Sequence, residues 1–218
     1  MVRRTRREEM YKLLEENKEW NVVDIASSNA GWKYADVFVD IADYSNYYKQ
    51  KYNGEKKFIQ GDVETKLFGD KEFDFVIASH ILEHVNDPNT FIKELVRIGK
   101  RGYIEVPTPL WDNLATGPKQ TKYGHKWWVT FDDVDNHIEI NKKINVVNLL
   151  LSPKEHNKHM VFFRDTIITQ LYWEDDVEIK MGNGIYRYYD NRDIDETYDS
   201  NQITDWDGKY LFEFGKLK

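Results

Sequence analysis

The sequence predicts an α/β fold, with a mostly parallel central sheet, helices on both faces and a β-rich C-terminal part. Five short apolar runs alternate with polar loops over residues 21–109, a pattern typical of strands that are buried on both faces. A strong helix signal lies between the fourth and fifth runs. A strand, a helix and a strand in that order indicate a parallel pair joined by a right-handed crossover.

A helix is predicted over Thr5–Trp20, ahead of the first apolar run, because apolar residues recur on one face while charges fill the rest. A basic cluster at its start is followed at once by Glu8 and Glu9, so we interpret it as a solvated helix face. The cluster is Arg3, Arg4, Arg6 and Arg7. The inward positions are Met10, Leu13, Leu14 and Trp20.

The five apolar runs are the candidate strands of the sheet. They are Val22–Ile25, Val37–Val39, Phe58–Ile59, Phe73–Ala78 and Gly102–Val106. Before the last run, Asp87 suits a helix N-cap and Pro88 the first helical position, and the apolar periodicity ends at Gly99. Asp24 and Asp40 are only 16 positions apart, so the crossover helix between the first two strands is expected to be truncated or absent.

After Pro109 the pattern changes and becomes aromatic and β-rich. A long loop is predicted over 111–126, and a hairpin joins Trp127–Phe131 to His137–Ile140. Ser152 to Glu155 resemble a capping box, which predicts the start of a helix. Strand-like pieces lie near 177–180, 186–189 and 210–214. We interpret 1–218 as a single domain, with an N-terminal helix (1–20), a cofactor-binding core (21–109) and an acceptor-binding elaboration that completes the sheet (110–218).

Composition excludes several functions. The net charge of −7 argues against a general nucleic-acid binder. The absence of cysteine excludes disulfides, thiolate metal sites and cysteine nucleophiles, and is compatible with a reducing compartment. No segment approaches the roughly 20 apolar residues that span a bilayer, and no signal peptide is recognisable. We therefore expect a soluble, cytoplasmic protein.

Residues that directly follow the strands are the candidate site, because open parallel sheets bind ligands beyond the carboxyl ends of their strands. A turn of small residues follows the first strand, an acid ends the second, and a Gly-Asp pair and a Ser-His pair follow the third and fourth. In chain order these residues are Asp24, Ala26, Ser27, Ser28, Asn29, Asp40, Ile41, Gly61, Asp62, Val63, Ser79 and His80.

The segment from Phe58 to Pro109 resembles the type 11 family of class I S-adenosylmethionine-dependent methyltransferases. It carries GD at 61–62, FDFV at 73–76, SHILEHVNDP at 79–88 and ELVRI at 94–98, in the family's order. ADVFVD at 35–40, GYIEVPTP at 102–109 and HKWWV at 125–129 further resemble a branch found near glycan-synthesis genes, which includes methyltransferase domains of chlorovirus glycan-synthesis proteins. The resemblance implies a Rossmann-like fold and S-adenosylmethionine as cofactor, with S-adenosylhomocysteine as product.

The resemblance also implies roles for the candidate residues. Asp40 would contact the ribose of the cofactor, and Ser79 and His80 would lie near the transferred methyl group. The adenine would lie against Ile41, Asp62 and Val63, which follow Gly61. The methionine portion would contact the residues at the end of the first strand and in the turn after it: Asp24, Ala26, Ser27, Ser28 and Asn29. This sequence has Ala26, Ser28 and Ala30 where the family usually has glycine. That departure leaves open a non-catalytic binding module, because alanine and serine do not adopt positive φ freely.

Two histidines are candidate general bases for a hydroxyl acceptor, because histidine titrates near neutral pH. His80 directly follows the fourth strand, and His125 lies in an aromatic loop. Tyr123, Trp127 and Trp128 in the same loop would form an aromatic platform for a sugar, and core packing is the alternative interpretation.

We expect O-methylation of a sugar or glycan hydroxyl, by a chain that belongs to a larger multidomain glycan-synthesis protein. The alternatives are a non-sugar small-molecule acceptor and the binding module. A nicotinamide oxidoreductase is disfavoured, because G-x-G-x-x-G is absent and the first crossover is short. A divalent cation at Asp132, Asp133 and Asp135 is the weaker interpretation of an exposed acidic loop, so no metal site is predicted.

Overall fold

The computed structural model describes residues 1–114, 124–143 and 167–182, together with the backbone of 212–213 and 216–217. Contacts divide the chain into two units, Met1–Ile185 and Tyr186–Lys218. In the second unit, two short strands form an antiparallel pair. The helix predicted from Ser152 and the strand predicted near 186–189 lie outside the described residues.

The elements in chain order are β1 (Val2–Arg4), α1 (Arg7–Glu16), β2 (Val22–Ile25), β3 (Val37–Asp40), α2 (Ser45–Lys51), β4 (Lys57–Gln60), β5 (Phe75–Ser79), α3 (Pro88–Ile98), β6 (Arg101–Pro107), α4 (Pro109–Leu114), β7 (Trp127–Asp132), β8 (His137–Lys142), β9 (Ile168–Glu174), β10 (Ile179–Met181), β11 (Phe212–Glu213) and β12 (Lys216–Leu217). No helix in the described part of the chain is long and apolar enough to cross a membrane.

A seven-stranded sheet organises the first unit, in the order β1-β9-β6-β5-β2-β3-β4. The five predicted strands, β2 to β6, are all mutually parallel. Strand β9 runs antiparallel to β6, and β1 runs antiparallel to β9. The predicted fold class, an α/β fold with a mostly parallel central sheet, is therefore confirmed.

Helix packing on both faces explains why the strands are continuous apolar runs. One core cluster contains Phe91, Ile92 and Leu95 of α3. The other contains Met10 and Leu14 of α1, two of the predicted inward positions. Alternate residues of each strand contribute to opposite clusters, so almost no strand position is free to be polar.

The N-terminal segment differs from its prediction. Instead of one helix over Thr5–Trp20, the chain forms the edge strand β1 and then a shorter helix, α1. Strand β1 exists because Val2–Arg4 pair with residues 171–173 of β9. A partner so distant in sequence leaves no local signal, and charged Arg3 and Arg4 suit an exposed sheet edge.

Several local signals correspond to observed elements. Asp87 caps α3 by accepting hydrogen bonds from the backbone N–H groups of Asn89 and Thr90. The hairpin forms as β7 and β8, and the third strand of its sheet, β10, pairs with β8. The segment after Pro109 begins as the short helix α4 and not as a loop. Helix α2 and strand β9 were not predicted.

The strand order reverses between β2 and β5. From β2 the chain proceeds outward through β3 and β4, and then returns to β5 on the other side of β2. Residues 26–36 between β2 and β3 contain no helix, which confirms the expected absence of that crossover helix. A turn over 26–31, the β2 turn, occupies this position at the carboxyl edge of the sheet.

The β2 turn adopts the conformation that glycines would favour, without having them. Ala26 and Ser28 have φ values of 56° and 44°, in the left-handed region that costs L-residues roughly 1–2 kcal/mol. Tertiary contacts hold the turn: the N–H of Ser28 donates to Asp40, and the N–H of Gly31 to the Tyr48 hydroxyl. Gly31 is required there, because a Cβ would collide with that hydroxyl.

Replacing Ala26 with glycine is therefore expected to stabilise the protein. Relief of left-handed strain exceeds the roughly 0.4–1 kcal/mol of unfolded-state entropy that glycine adds, so the free energy of unfolding should rise by up to about 1 kcal/mol. Urea denaturation of Ala26→Gly measures this. The control is Ala30→Gly. Because Ala30 does not have a positive φ, that variant should only be less stable than wild type. Equal losses of stability in both variants would contradict the left-handed strain assigned to Ala26.

Candidate functional site

The carboxyl edge of the sheet brings the predicted residues of β2, β3 and β4 together. The N–H of Ser27 donates to the Val39 carbonyl, and the N–H of Gly61 donates to the Asp40 carbonyl. The turns after these three strands are thus hydrogen-bonded side by side. This is the edge where open parallel sheets bind ligands, and it includes the point where the strand order reverses.

Asp24 near the end of β2 and Ser27 in the β2 turn are buried polar residues. The Asp24 carboxylate accepts a hydrogen bond of 2.7 Å from the N–H of Trp32. Burial raises the pKa of Asp24 to about 7, although that hydrogen bond and the charge of Arg7 oppose the shift. The Ser27 hydroxyl is buried and has no hydrogen-bond partner among the described residues. An unpaired hydroxyl at this edge fits a polar ligand.

The residues expected beside ribose and adenine lie at the ends of β3 and β4. The two Asp40 carboxylate oxygens each accept a backbone hydrogen bond, from Ser28 and from Ala42, which leaves a lone pair on each for a hydroxyl. Ile41 is 71% exposed beside them, an apolar surface suited to a planar ring. Asp62 caps its own turn by accepting from the N–H of Glu64, and Val63 packs partly against the core.

Glu105 on β6 is a fully buried carboxylate at the centre of a charged network. It accepts hydrogen bonds from the Arg7 guanidinium, the Ser79 hydroxyl and the His80 ring, and from the hydroxyl of neighbouring Tyr103. Burial alone would raise the pKa of Glu105, but the hydrogen bond from His80 and the charge of Arg7 lower it to about 2. Glu105 is therefore a permanent anion.

His80 lies between two buried carboxylates. Its backbone has a φ of 56°, and its N–H donates to the Glu105 carbonyl. The ring Nε2 is 3.0 Å from Oε1 of Glu105, and Nδ1 is 3.4 Å from Oε1 of Glu83. Burial would lower the pKa of His80, but the hydrogen bond to Glu105 and the two negative charges raise it to about 9.

This geometry does not suit the predicted role of His80 as general base. Both ring nitrogens face carboxylates, so neither presents a lone pair to an acceptor hydroxyl. A histidine held this way at neutral pH donates hydrogen bonds and carries positive charge. By position His80 still lies directly after β5, at the edge where open parallel sheets bind ligands.

Glu83, His84 and His125 form a second cluster next to His80, called here the histidine cluster. Glu83 is 1% exposed, and its Oε1 lies 4.0 Å from Nε2 of His84 and 3.9 Å from Nε2 of His125. The Glu83 carbonyl accepts hydrogen bonds from the N–H groups of Lys126 and Trp127. Those bonds fix the segment before β7 against the carboxyl side of β5, which brings His125 to the site.

The aromatic surface of the site differs from the predicted platform. Trp128 is 3% exposed and belongs to the core, while Trp127 is partly buried and donates its indole N–H to the Val85 carbonyl. These positions correspond to the alternative interpretation of core packing. Tyr123 lies outside the described residues. Trp111 of α4 lies instead within about 6 Å of both predicted histidines, at 6.1 Å from His80 and 6.2 Å from His125 between ring centroids.

Four residues of the candidate site were not predicted from the sequence: Arg7, Glu83, Glu105 and Trp111. Arg7 was interpreted as part of a solvated basic face, but it reaches across the sheet edge to Glu105 and its guanidinium lies over the Trp32 ring. Glu105 had a usable signal, because a lone charge within an apolar strand run must be paired if it is buried. The partners themselves come from distant positions and have no local signature.

Three comparisons with known proteins were made. A family model described as a methyltransferase domain matches residues 22–104, which extend from β2 into β6. A comparison with curated proteins gives no significant match.

Similar solved structures come from several organisms. A protein of Pyrococcus horikoshii OT3 is 18% identical, and the alignment covers 77% of this chain and 88% of that chain at a TM-score of 0.45. A SAM-dependent methyltransferase from Aquifex aeolicus is 18% identical, and the alignment covers 51% of this chain and 68% of that chain at a TM-score of 0.40. The YcgJ protein of Bacillus subtilis is 20% identical, with 47% of this chain covered and a TM-score of 0.39; this chain spans 52% of its length.

The buried Asp24 predicts a specific pH dependence of stability. Its pKa is about 4 in the unfolded chain and about 7 in the folded one, so the folded state binds a proton that the unfolded state releases. The contribution is complete below pH 4 and is lost as pH rises through 7. Asp24→Asn should therefore gain stability relative to wild type between pH 4 and 8, measured by urea denaturation.

The matched control for that prediction is Asp43→Asn. Hydrogen bonds from Ser45 lower the pKa of Asp43 below its ordinary value of about 4, so the stability difference between this variant and wild type should change only below about pH 5 and stay constant from there to pH 8. A difference between wild type and Asp24→Asn that does not vary with pH would contradict the raised pKa of Asp24.

Breaking the Arg7–Glu105 pair is expected to cost much more stability than breaking a surface pair. Arg7→Ala leaves a buried anion with less compensation, which costs about 3 kcal/mol or more. Arg4→Ala removes an ion pair with Asp133 that is half-exposed on both sides, and exposed pairs contribute less than about 1 kcal/mol. Equal losses in chemical denaturation would contradict the central position of Glu105.

Proposed function

We propose that this chain is a class I S-adenosylmethionine-dependent methyltransferase that methylates a hydroxyl group of a sugar or glycan; the matched methyltransferase domain and the strand order support the first part. The observation that carries the proposal is the juxtaposition of Trp111, His80 and the histidine cluster directly after β5. The family resemblance implies that the transferred methyl group would lie near Ser79 and His80. An aromatic surface with a few convergent polar groups is typical of a small-molecule site.

The residues at the carboxyl edge fit the cofactor. The unpaired Ser27 hydroxyl, the Asp40 carboxylate and the exposed side chain of Ile41 offer partners for the polar methionine end, the ribose diol and the adenine ring. When bound, S-adenosylmethionine supplies an activated methyl group: its S–CH3 bond breaks as an O–CH3 bond forms, and the sulfur keeps the bonding electrons. The protein then has to align the acceptor for in-line displacement.

Arg7 and His80 set the electrostatics on the methionine side. Arg7 contacts Glu105 and Ser79 and lies near Asp24, so its charge helps to attract a carboxylate. His80 is clamped between Glu105 and Glu83, which fixes the direction of its ring. Fixed charges of this kind act without reorganisation during the reaction.

The acceptor side is formed by Trp111 and His125. A sugar ring that packs on the Trp111 face would place its hydroxyl near His125, and the hydroxyl proton leaves to the histidine cluster. In this proposal His125 is the general base, because it lies beside Trp111 and its Nε2 atom is 3.9 Å from the Glu83 carboxylate, which would help to orient the ring. His80 does not compete for this role, since both of its nitrogens face carboxylates.

The structure bears differently on the two alternative functions, a non-catalytic binding module and a methyltransferase with a non-sugar acceptor. The binding-module hypothesis was motivated by Ala26 and Ser28 in place of glycine, yet both residues hold the positive φ that the glycines would have, so the shape of the turn does not favour loss of binding. A non-sugar acceptor keeps the same chemistry and loses only the role proposed for Trp111. We also propose that the chain acts in glycan synthesis, as part of a larger protein, and that it is located in the cytoplasm.

Cofactor binding is tested by calorimetric titration with S-adenosylmethionine and S-adenosylhomocysteine. Asp40→Ala removes hydrogen bonds to a charged acceptor, each contributing about 1.5–3 kcal/mol, so affinity should fall by about 10- to 100-fold. The control is Asp43→Ala, in the same loop, where the carboxylate caps α2 and affinity should not change. Equal affinities in wild type and Asp40→Ala would contradict the ribose assignment.

Acceptor class is tested by incubating the protein with S-adenosylmethionine and a panel of free and nucleotide-linked sugars. The expected product is heavier by one methylene group in the mass spectrum. His125→Ala should lower kcat by about 100-fold or more, as removal of a general base does. Transfer only to nitrogen, carbon or protein acceptors would overturn the sugar proposal and leave the methyltransferase assignment intact.

A further inference from the structure

Glu83 is the most anomalous polar side chain of the site. It is 1% exposed, and neither of its carboxylate oxygens accepts a hydrogen bond from any residue that the structure describes. The Nδ1 atom of His80, at 3.4 Å, is close enough for charge attraction but not a well-formed hydrogen bond. Burying a carboxylate costs several kcal/mol unless it is fully paired or coordinates a metal, so the single long contact with His80, which Glu105 shares, compensates the charge of Glu83 only in part.

Two imidazole nitrogens face the same carboxylate oxygen. The Nε2 atoms of His84 and His125 lie 4.0 Å and 3.9 Å from Oε1 of Glu83, and the three ligand atoms are all within 4.8 Å of one another. In a tetrahedral site with bonds of about 2.1 Å, ligand atoms lie about 3.4 Å apart. Small side-chain rotations would therefore bring the cluster to metal-binding distances.

His125 is brought close to Glu83 by the backbone, and not only by the rotamer of its side chain. Glu83 and His84 lie in a turn that is closed by a hydrogen bond from the N–H of His84 to the Ile81 carbonyl. The Glu83 carbonyl then binds the backbone of Lys126 and Trp127. Backbone hydrogen bonds thus hold residues 83–84 and the segment that contains His125 next to each other, which favours a preorganised ligand set.

We propose that Glu83, His84 and His125 bind one divalent transition-metal ion. Two imidazoles and one carboxylate are the ligands that Zn²⁺, Mn²⁺, Fe²⁺ and Co²⁺ accept, whereas Mg²⁺ and Ca²⁺ prefer oxygen alone. Three protein ligands leave at least one coordination position open, which is characteristic of a catalytic metal and not of a structural one. The ion would also neutralise Glu83.

Binding of the ion stands by itself, while its role in catalysis rests on the proposed methyl transfer. The Trp111 ring lies 6.2 Å from the His125 ring, between centroids, so an acceptor that packs on Trp111 would lie close to the ion. A cation there would coordinate the acceptor oxygen and lower the pKa of its hydroxyl, so that the proton leaves to solvent water. His125 would then be a ligand and not the general base, and the site would favour acceptors with hydroxyl groups.

A second group with metal-binding spacing serves as the internal control. Asp132, Asp135 and His137 lie close together in the β7–β8 turn. There the Asp132 carboxylate already accepts hydrogen bonds from the N–H groups of Val134 and Asp135. The Oδ2 atom of Asp135 lies 3.7 Å from the Nζ atom of Lys180, so these two residues form an ion pair. The acids of that turn are satisfied by the protein, so we assign no ion to it.

The experiment is titration of the chelator-treated chain with Co²⁺, followed by visible absorption, and with Zn²⁺, followed by calorimetry. One ion per chain is expected. Affinity should fall at least tenfold in Glu83→Gln, in which the carboxylate shape is kept, and in His125→Ala, while Asp135→Asn should bind like wild type. Circular dichroism of each metal-free variant verifies folding, and thermal unfolding of wild type should shift upward with the ion.

Each outcome separates the inference from the proposed function. No ion bound by wild type, unchanged affinity in folded Glu83→Gln, or loss of binding in Asp135→Asn would overturn the site. Methyl transfer by a metal-free protein would remove the catalytic role of the ion and leave His125 as base. Metal binding without methyl transfer to any acceptor would keep the site and contradict the proposed function.

Discussion

The buried carboxylate of Glu105 is the constraint on which the arrangement of the site depends. A charge at zero exposure in the middle of the sheet is tolerated only if donors surround it. Arg7 from α1, Ser79 at the end of β5 and His80 after it supply those donors. The requirement to satisfy one anion thus fixes the N-terminal helix, the end of β5 and the first residue after it in one geometry.

Two features of the fold follow from this network. The segment β1–α1 crosses the sheet edge and places Arg7 over it, which an exposed basic helix would not do. His80 accepts a left-handed backbone, a cost that persists at functional sites only where surrounding contacts over-determine the conformation. Its ring in turn faces Glu83, so the network of Glu105 continues into the histidine cluster and the acceptor side.

The cofactor side is held differently, by backbone hydrogen bonds between turns. Because there is no helix between β2 and β3, no helix N-terminus is present to bind a phosphate, and the β2 turn depends on Asp24, Asp40 and Tyr48. A cofactor without phosphate suits such a turn. In the proposed function, this division would let the same sheet edge bind a methyl donor on one side and an acceptor on the other.

The sequence was informative where burial on both faces leaves a local pattern. The apolar runs of β2 to β6 and the cap at Asp87 predicted the sheet and α3, because those signals lie within a few residues. Strand β1 depends on pairing with residues 171–173, and Thr169 and Gln170 interrupt the apolar pattern of β9 although both are buried. Neither element could be recognised locally.

For the candidate site, the sequence predicted which residues lie together but not their electrostatics. The residues after β2, β3, β4 and β5 do lie at one edge of the sheet, since topology brings strand ends together. The role of His80 depends on two carboxylates that only the fold places around it, and Trp111 contacts the histidines through α4, which the sequence suggested to be a loop. Charges and rings from distant positions decide such roles.

The most direct measurement is a crystal structure of the chain with S-adenosylhomocysteine. The predicted result is a ligand across the carboxyl ends of β2, β3 and β5, with its ribose against Asp40 and its sulfur directed toward His80 and the histidine cluster. Density for the ligand at another face of the sheet, or a sulfur that points away from Trp111 and His125, would contradict the assignment of cofactor and acceptor sides.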